Sequence, residues 1–575
     1  MGFDVSIRIG GQAGQGLQSI SSIMGKIFTR HGYYAYIHQD VESRIRGGHN
    51  YTQIRISDRP IQTFKEQVDL LIALEHTAIE MDLPDLAEGG VMIFDGEITG
   101  FRTEQANHFS IPLEKLAVEA GKNKIMVNAV ATGAAVAWLD FILQPLLDRL
   151  GEEFERKGKE VAQNNRDSAS AGYRYVKENY RGTRPFRAAP AALTRKKLLM
   201  NGSEAMALGA VCAGLKFYSG YPMSPSTPVM EYVASVAKEC GIVMEQAEDE
   251  IAAINMVVGA SFAGVRSMTA TSGGGFCLMV ETLGLAGMTE TPAVVVVAQR
   301  PGPSTGLPTR TEQADLWFCV HAAHGEFPRA VLAPGNAEQA FYGMAKAFNL
   351  AEKYQTPVIV LGDQHLNDSY FTLDELDLNR VIIDRGKVAS DDWIPSVMEY
   401  RRYAWDDSGI SPRILPGQSK AVLYADSDEH TEAGHITESA AIRNQMMSKR
   451  MRKLDGMRAE MDGPEIYPLE PSEIVLLGWG STYGALKEAV DSLRGNGISA
   501  QMIHFNEIHP FPGDGLADEV GGTNQNLCRG KQLQRSVRRL FPLRNRTTHT
   551  SKNCKIRWEA LFVPGNRRQS SERMR

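Results

Sequence analysis

The chain has no run of 18 apolar residues free of charge, which excludes a helix that crosses a membrane. The first residues carry no secretory h-region. Met1-Gly-Phe-Asp-Val-Ser-Ile-Arg-Ile-Gly10 alternates like a strand, and the expected location is cytoplasmic. Cysteine is scarce and scattered: Cys212, Cys240, Cys277, Cys319, Cys528 and Cys554 include no C-x-x-C and no pair at zinc or iron–sulfur spacing. No metal or cluster of the chain's own is therefore expected. No internal repeat of solenoid length is visible. What is present is globular: 575 residues, 43% apolar and 23% charged, enough for about three or four domains.

The formal net charge of −6 conceals an asymmetry, because Cys528 to Arg575 holds eleven Arg and three Lys against two Glu. Such a tail ordinarily suggests nucleic-acid binding. Here no apolar period accompanies it. A strand at Asp4 to Ile9 runs into Gly10-Gly-Gln-Ala-Gly-Gln-Gly16 and then an apolar-periodic helix, Leu17 to Phe28. Strand, glycine turn and helix can bring backbone N–H groups to a phosphate, with Gly10, Gly11, Gly14 and Gly16 as the candidates. A purely structural βα turn explains the same residues. Val68–Leu74 and Gly90–Asp95 read as buried strands of an open α/β sheet. Residues 151–199 are polar and basic with little apolar periodicity, and read as a surface linker. Beyond them, an Ala/Gly-rich helix at Asn201–Gly214 and strands at Pro292–Ala298 and Pro357–Leu361 predict a parallel, doubly wound domain over 200–373. Residues 374–468 read as an irregular connection with one helix, Thr437 to Met461. Ile474–Gly484 and Ala500–Phe505 open a further α/β unit over 469–519.

Three segments together resemble the 2-oxoacid:ferredoxin oxidoreductases: Tyr218-Ser-Gly-Tyr-Pro-Met-Ser-Pro-Ser-Thr-Pro228, the acidic cluster ending at Glu250, and Arg300-Pro-Gly-Pro-Ser-Thr-Gly-Leu-Pro-Thr309. The Gly10–Gly16 loop with Gln39-Asp-Val-Glu-Ser-Arg-Ile-Arg-Gly-Gly-His-Asn50 resembles the γ subunit of the same enzymes. The resemblance implies a fused γ–α subunit, most like the 2-oxoglutarate type. It also implies an α/β fold of several doubly wound parallel-sheet domains: a γ-type domain over 1–150, associated with coenzyme A, a thiamine diphosphate pyrimidine-type domain, and a truncated transketolase C-terminal-like domain. The reaction implied is oxidative decarboxylation of a 2-oxoacid with CoA, reducing ferredoxin. The resemblance implies a β partner that carries the diphosphate, Mg²⁺ and a [4Fe–4S] cluster, in a (γα·β)₂ assembly without nucleic acid or membrane. Branched-chain, indolepyruvate and pyruvate variants stay open. So do a transketolase-like enzyme and a non-catalytic CoA- or nucleotide-binding assembly module.

The resemblance distributes roles. Thiamine diphosphate needs a carboxylate on its aminopyrimidine, and Glu250, heading an Ala-rich helix, is the implied residue. Glu245, Glu248 and Asp249 beside it suit a helix N-terminus without further purpose. Ser224 is implied to touch the oxoacid, whereas Ser226 or Thr227 suits a helix cap ahead of Pro228. Arg300 follows a buried valine run, where ligands of open α/β sheets bind, and a guanidinium there suits the C1 carboxylate. Arg310 is a candidate for a distal carboxylate. Tyr221, Pro222, Thr271, Ser272 and Gly273 are implied to line the cofactor. Asp428-Glu-His-Thr-Glu-Ala-Gly-His435 has metal-ligand residue types, but in the resemblance it is a non-catalytic loop. From about residue 520 the resemblance stops. A one-base shift of the permitted codons restores V-E-x-N-x-x-S-G-Q-F-A, F-R-S-E-T-G and I-x-K-Y-D-G-[K/R]-P-F, so 520–575 reads as an out-of-frame rendering of the family's own end.

Overall fold

The computed structural model describes residues 2–44, 47–182, 187–188, 197–390, 392, 400–470 and 472–512, with the backbone of Asn526–Arg529. The first unit runs β1 (Asp4–Ala13), α1 (Leu17–Arg30), β2 (Tyr34–Asp40), β3 (Gly47–Ser57), β4 (Val68–Ala73), α2 (His76–Asp82), β5 (Leu86–Phe94), α3 (Gly96–Thr99) and β6 (His108–Ser110). Four helices follow: α4 (Leu113–Gly121), α5 (Val127–Trp138), α6 (Gln144–Phe154) and α7 (Lys159–Asn179), then β7 (Lys197–Asn201). The second unit holds α8 (Gly202–Cys212), β8 (Phe217–Gly220), α9 (Thr227–Cys240), β9 (Val243–Gln246), α10 (Glu250–Phe262), β10 (Ser267–Thr271), α11 (Gly273–Met288) and β11 (Ala293–Gln299). It continues with α12 (Leu316–Val320), β12 (Ala330–Leu332), α13 (Ala337–Tyr354), β13 (Pro357–Asp363), α14 (Gln364–Asp368) and β14 (Tyr370–Asp374). The last elements are α15 (Ala440–Glu460), β15 (Glu465–Tyr467), β16 (Ile474–Trp479), α16 (Tyr483–Gly495), β17 (Ala500–Phe505), β18 (Glu507–His509) and β19 (Asn526–Arg529).

The first sheet has the order β6-β5-β4-β1-β3-β2-β14-β7 and is mixed: β1 pairs parallel with β4 but antiparallel with β3. The expected open α/β sheet is there, with β3 and β2 added to its parallel strands in antiparallel register. The glycine loop is also shorter than predicted. β1 continues through Gly10 and Gly11 to Ala13, opposite Gly47, leaving only Gly14 (φ +92°) and Gly16 (φ +74°) in the turn.

The stretch read as a linker is largely helix. α7 spans 21 residues and packs on α5 through small side chains. A Cβ on Gly133 would lie 1.9 Å from the Ala169 carbonyl oxygen, and one on Gly172 would lie 2.0 Å from that of Val130. Ala162, Asn165 and Ala169 are buried along one face of α7. Contact here is nearly backbone to backbone, so a polar-looking sequence conceals a core helix.

The second sheet, β18-β12-β13-β11-β10-β8-β9, is parallel except for β18. β11 lies inside it, every residue buried, which is why Ala293-Val-Val-Val-Val-Ala-Gln299 reads as an unbroken apolar run. Asn201 and Glu204 form a capping box that starts α8. Strands β7 and β14, flanking this domain in sequence, add to the first sheet instead, with Tyr370–Asp374 antiparallel to Asn201–Lys197.

The connection over 374–468 is held from beneath by α15, whose buried face is basic. Lys449 Nζ and Lys453 Nζ each lie 2.6 Å from the carboxylate of Glu290, and all three side chains are buried. Burial favours a neutral Glu290, but Lys449, Lys453 and Arg402 overcome it and hold the carboxyl far below its ordinary value. Arg450 and Arg443 reach Glu429, and the His430 and Tyr403 rings meet tilted, their centroids 4.0 Å apart. The Asp428–His435 segment is thus part of a structural clamp. The third sheet, β15-β17-β16-β19, closes the chain, with β19 parallel to β16. The reading of 520–575 as out of frame lies outside the described residues, apart from the backbone of Asn526–Arg529.

Candidate active site

The carboxyl-terminal ends of β8, β10 and β11 release three loops that meet over the start of α11. The first, Tyr221–Pro225, leaves β8, with Tyr221 39% exposed. Ser226 heads α9 as expected, but its hydroxyl donates to the Met223 carbonyl at 2.7 Å and does not cap. It tightens the loop instead. Met223 turns its sulfur onto the second loop, accepting from Ser272 Oγ at 2.7 Å.

That second loop, Thr271–Gly275, is built around glycine. A Cβ on Gly273 would stand 2.3 Å from Asp315 Oδ2, and one on Gly275 would stand 2.5 Å from Glu250 Oε1 and 2.1 Å from Thr271 Oγ1. Two carboxylates therefore rest against glycines two positions apart. Glu250 is 3% exposed, and its Oε1 has no hydrogen-bond partner. Asp249, not Glu250, caps α10, accepting from Ala252 N–H at 2.7 Å. A buried carboxylate oxygen without a donor costs free energy that its surroundings must offset. The helix does not use Glu250, so a ligand donor is what this atom fits.

The third loop begins at Arg300, one residue past β11. Its Nη1 donates to the Ser224 carbonyl at 2.7 Å, while Nε is buried without a partner. Burial lowers the proton affinity of this guanidinium, against the pull of Asp315. Asp315 Oδ2 is likewise unpartnered. Burial and Glu312 push its carboxyl up to about 6, against Arg300. Ser224 and Arg300 meet through a hydrogen bond, and Glu250 lies against the Thr271–Gly275 loop that holds Ser272 and Gly273. Sequence reading gave no role to Asp315 or to Met223, although Met223 lies within the Tyr218–Pro228 segment.

Arg310, at the far end of the loop that starts at Arg300, is ion-paired to Asp40 at the end of β2. Gly10–Gly16 forms a separate cluster in the first domain. There Gln15 Oε1 accepts the Gln12 backbone N–H at 2.7 Å, filling the turn with a carboxamide oxygen. Gln12 Nε2 reaches Glu75 Oε2 at 2.7 Å, and Glu75 Oε1 is unpartnered. Close by, Arg8, Asp82 and His49 share buried charge. Among the described residues no group of three or more His, Cys, Asp or Glu is arranged to hold a metal, and no helix is long and apolar enough to cross a membrane.

An orphaned buried carboxylate above a glycine cradle, at the strand ends of a parallel sheet, fits the class of proteins that bind thiamine diphosphate, whose aminopyrimidine needs such an acceptor. Comparison agrees: residues 208–449 match the family described as pyruvate flavodoxin/ferredoxin oxidoreductase, thiamine diphosphate-binding, and residues 6–175 match pyruvate ferredoxin/flavodoxin oxidoreductase. The 2-oxoacid:ferredoxin oxidoreductase subunit alpha of Sulfolobus sp is 33% identical, over 88% of this chain and 86% of that one. The 2-oxoglutarate oxidoreductase subunit KorA of Mycobacterium tuberculosis is 30% identical, over 88% and 82%. The structure of 2-oxoglutarate:ferredoxin oxidoreductase from Magnetococcus marinus, solved with 2-oxoglutarate, coenzyme A and succinyl-CoA, superposes with a TM-score of 0.87 at 32% identity, covering 94% of this chain and 95% of that one. The chain belongs to the 2-oxoacid:ferredoxin oxidoreductase α subunits, and is an oxidoreductase subunit with a thiamine diphosphate-binding domain.

Proposed function

We propose that this chain, with a β partner, converts 2-oxoglutarate and CoA to succinyl-CoA and CO₂ and passes two electrons to ferredoxin. The observation that carries the reading is the unpartnered, buried carboxylate oxygen of Glu250 above Gly275. Thiamine diphosphate, when bound, supplies the carbanion that attacks the oxo carbon and the electron sink for decarboxylation. Glu250 would hold its aminopyrimidine by accepting a hydrogen bond and favouring the reactive tautomer. Tyr221, Pro222, Thr271, Ser272 and Gly273 would wall the ring, with no Cβ at Gly273 to block it. Arg300 would take the C1 carboxylate through its free Nε, Ser224 would offer a hydroxyl, and Arg310 would answer the distal carboxylate. The start of α1, with Gly10, Gly11, Gly14 and Gly16, would receive a phosphate of CoA once Gln15 swings aside.

Ile251 and Met256 on α10 and Leu278 on α11, the two helices that meet at Glu250, are 47%, 41% and 49% exposed. Helices apolar on nearly every side, as α10 and α11 are, belong in an interior. This face is assigned to the β partner, which would bring Mg²⁺, the diphosphate site and a [4Fe–4S] cluster into a (γα·β)₂ assembly in the cytoplasm.

The test is viologen reduction by the complex with 2-oxoglutarate, pyruvate and 2-oxoisovalerate in parallel. CoA-dependent reduction with 2-oxoglutarate as the favoured substrate is expected, and Glu250→Gln should lower kcat by about 10²–10⁴-fold with assembly intact. An unchanged kcat in that variant would remove the central assignment.

A further inference from the structure

Arg310 closes a loop that opens at Arg300. Leu307 N–H donates to the Pro301 carbonyl and Arg310 N–H to that of Leu307, each at 3.1 Å. Gly306 has φ +57°, and a Cβ there would sit 1.7 Å from the Pro301 oxygen, so the closure admits only glycine. The tip, 302–307, is exposed. Both ends are held. Arg300 is bound by the Ser224 carbonyl of its own domain, but Arg310 is bound by Asp40, a residue of the first sheet.

Asp40 ends β2 opposite Tyr51, its side chain 11% exposed, while that of Arg310 is 32% exposed. The pair therefore sits at the seam between the two domains, mostly out of water. Its neighbours are charged. Arg8 lies over the Tyr51 ring at 4.4 Å. His49 is disfavoured as a cation by burial but lifted by Asp82, Asp40 and Glu75. His38, on β2, is kept neutral by burial and by His365, Arg8 and Arg310.

A second anion approaching Arg310 meets the charge already on Asp40. One guanidinium cannot satisfy two carboxylates at this depth without repulsion between them. We propose that Asp40 and the distal carboxylate of a dicarboxylic 2-oxoacid compete for Arg310, so that filling the site loosens the 300–310 loop from the first domain. This rests on the reading of Arg310 given above. Asp40 thereby sets how strongly a second carboxylate must bind before the enzyme favours it. By reciprocity, whatever tightens the seam weakens the dicarboxylic substrate by the same factor.

The test uses the complex with its partner subunit and compares KM for 2-oxoglutarate and pyruvate in Asp40→Asn and Asp40→Ser. Both variants should lower KM for 2-oxoglutarate about five- to tenfold and leave that for pyruvate unchanged. Amide exchange across Tyr34–Asp40 in the unaltered complex should quicken with 2-oxoglutarate and not with pyruvate. Arg310→Ala, run in parallel, should abolish the preference for 2-oxoglutarate. If it does, while the Asp40 variants raise or keep KM for 2-oxoglutarate, competition is overturned and the role of Arg310 survives. If Arg310→Ala keeps the preference, both fall. Should neither Asp40 variant assemble, the exchange measurement decides.

Discussion

Adding one methyl group at Gly275 probes the active-site reading most directly. The position is inside α11 with an ordinary helical backbone, so alanine suits it locally and gains about 1 kcal/mol of helix propensity. The new Cβ, however, would lie 2.5 Å from Glu250 Oε1, 2.8 Å from Glu250 Cγ and 2.1 Å from Thr271 Oγ1. Normal contact is about 3.5 Å, so the Glu250 side chain must retreat by about 1 Å. Overpacking of this kind costs about 1–3 kcal/mol, leaving a net loss of about 0–2 kcal/mol and a fall of a few degrees in Tm. Catalysis is far less tolerant. A reacting group displaced by about 1 Å loses about 10²-fold in rate. Gly275→Ala should therefore assemble, melt close to the unaltered complex and reduce viologen about a hundredfold more slowly. Turnover within twofold of the parent would show that the carboxylate above Gly275 is not the one the cofactor needs.

Three further outcomes follow from the same geometry. Glu290→Gln leaves Lys449 and Lys453 buried without their counter-charge, and should destabilise the protein by about 3–5 kcal/mol, read as a large drop in Tm, with KM values unaffected in the fraction that folds. Asp315→Asn removes a carboxyl whose folded-state value of about 6 exceeds its unfolded one, so the native state holds the extra proton between those values and stability falls as pH rises through about 6. The variant should melt higher than the parent at pH 8, by about 1 kcal/mol after allowance for solvent screening, with the gap closing by pH 4; a constant gap would contradict the shift. Gly172→Leu drives a side chain into the Val130 carbonyl across the α5–α7 contact. It should destabilise by at least about 3 kcal/mol and open the 159–179 helix to limited proteolysis, whereas a true linker would accept it silently.

Much of the site was legible because its chemistry is written in local patterns. The resemblance pointed to Glu250 at the head of an Ala-rich helix, and the structure starts α10 at that residue. Arg300 was expected after a valine run read as a buried strand, and β11 ends one residue before it. Those patterns fail where contact is made by backbone or by inverted charge. α7 looked like a linker because its buried face is Ala, Gly and Ser, which pack closely without raising hydropathy. The inward face of α15 carries Lys449, Arg450 and Lys453, the reverse of ordinary amphipathicity, and it is explained by Glu290, which meets the two lysines, and Glu429, which meets Arg450. Asp40 and Arg310 lie 270 residues apart, and no spacing rule connects them. The mixed character of the first sheet was hidden for a similar reason: β2 and β3 are buried like parallel strands although they run antiparallel.

The addition of β7 and β14 to the first sheet means that the two halves of this polypeptide are stitched by a backbone ladder, β2 against β14, as well as by the peptide chain itself. Covalent continuity between them is then partly redundant. A gene divided after codon 182 would yield two products that find each other along the same strand edge, since β7 stays with its partner β14 and offers it back to β2. In this architecture, fusion and fission of subunits are neighbouring solutions to one folding problem. A chain can gain or lose the junction without rebuilding either core.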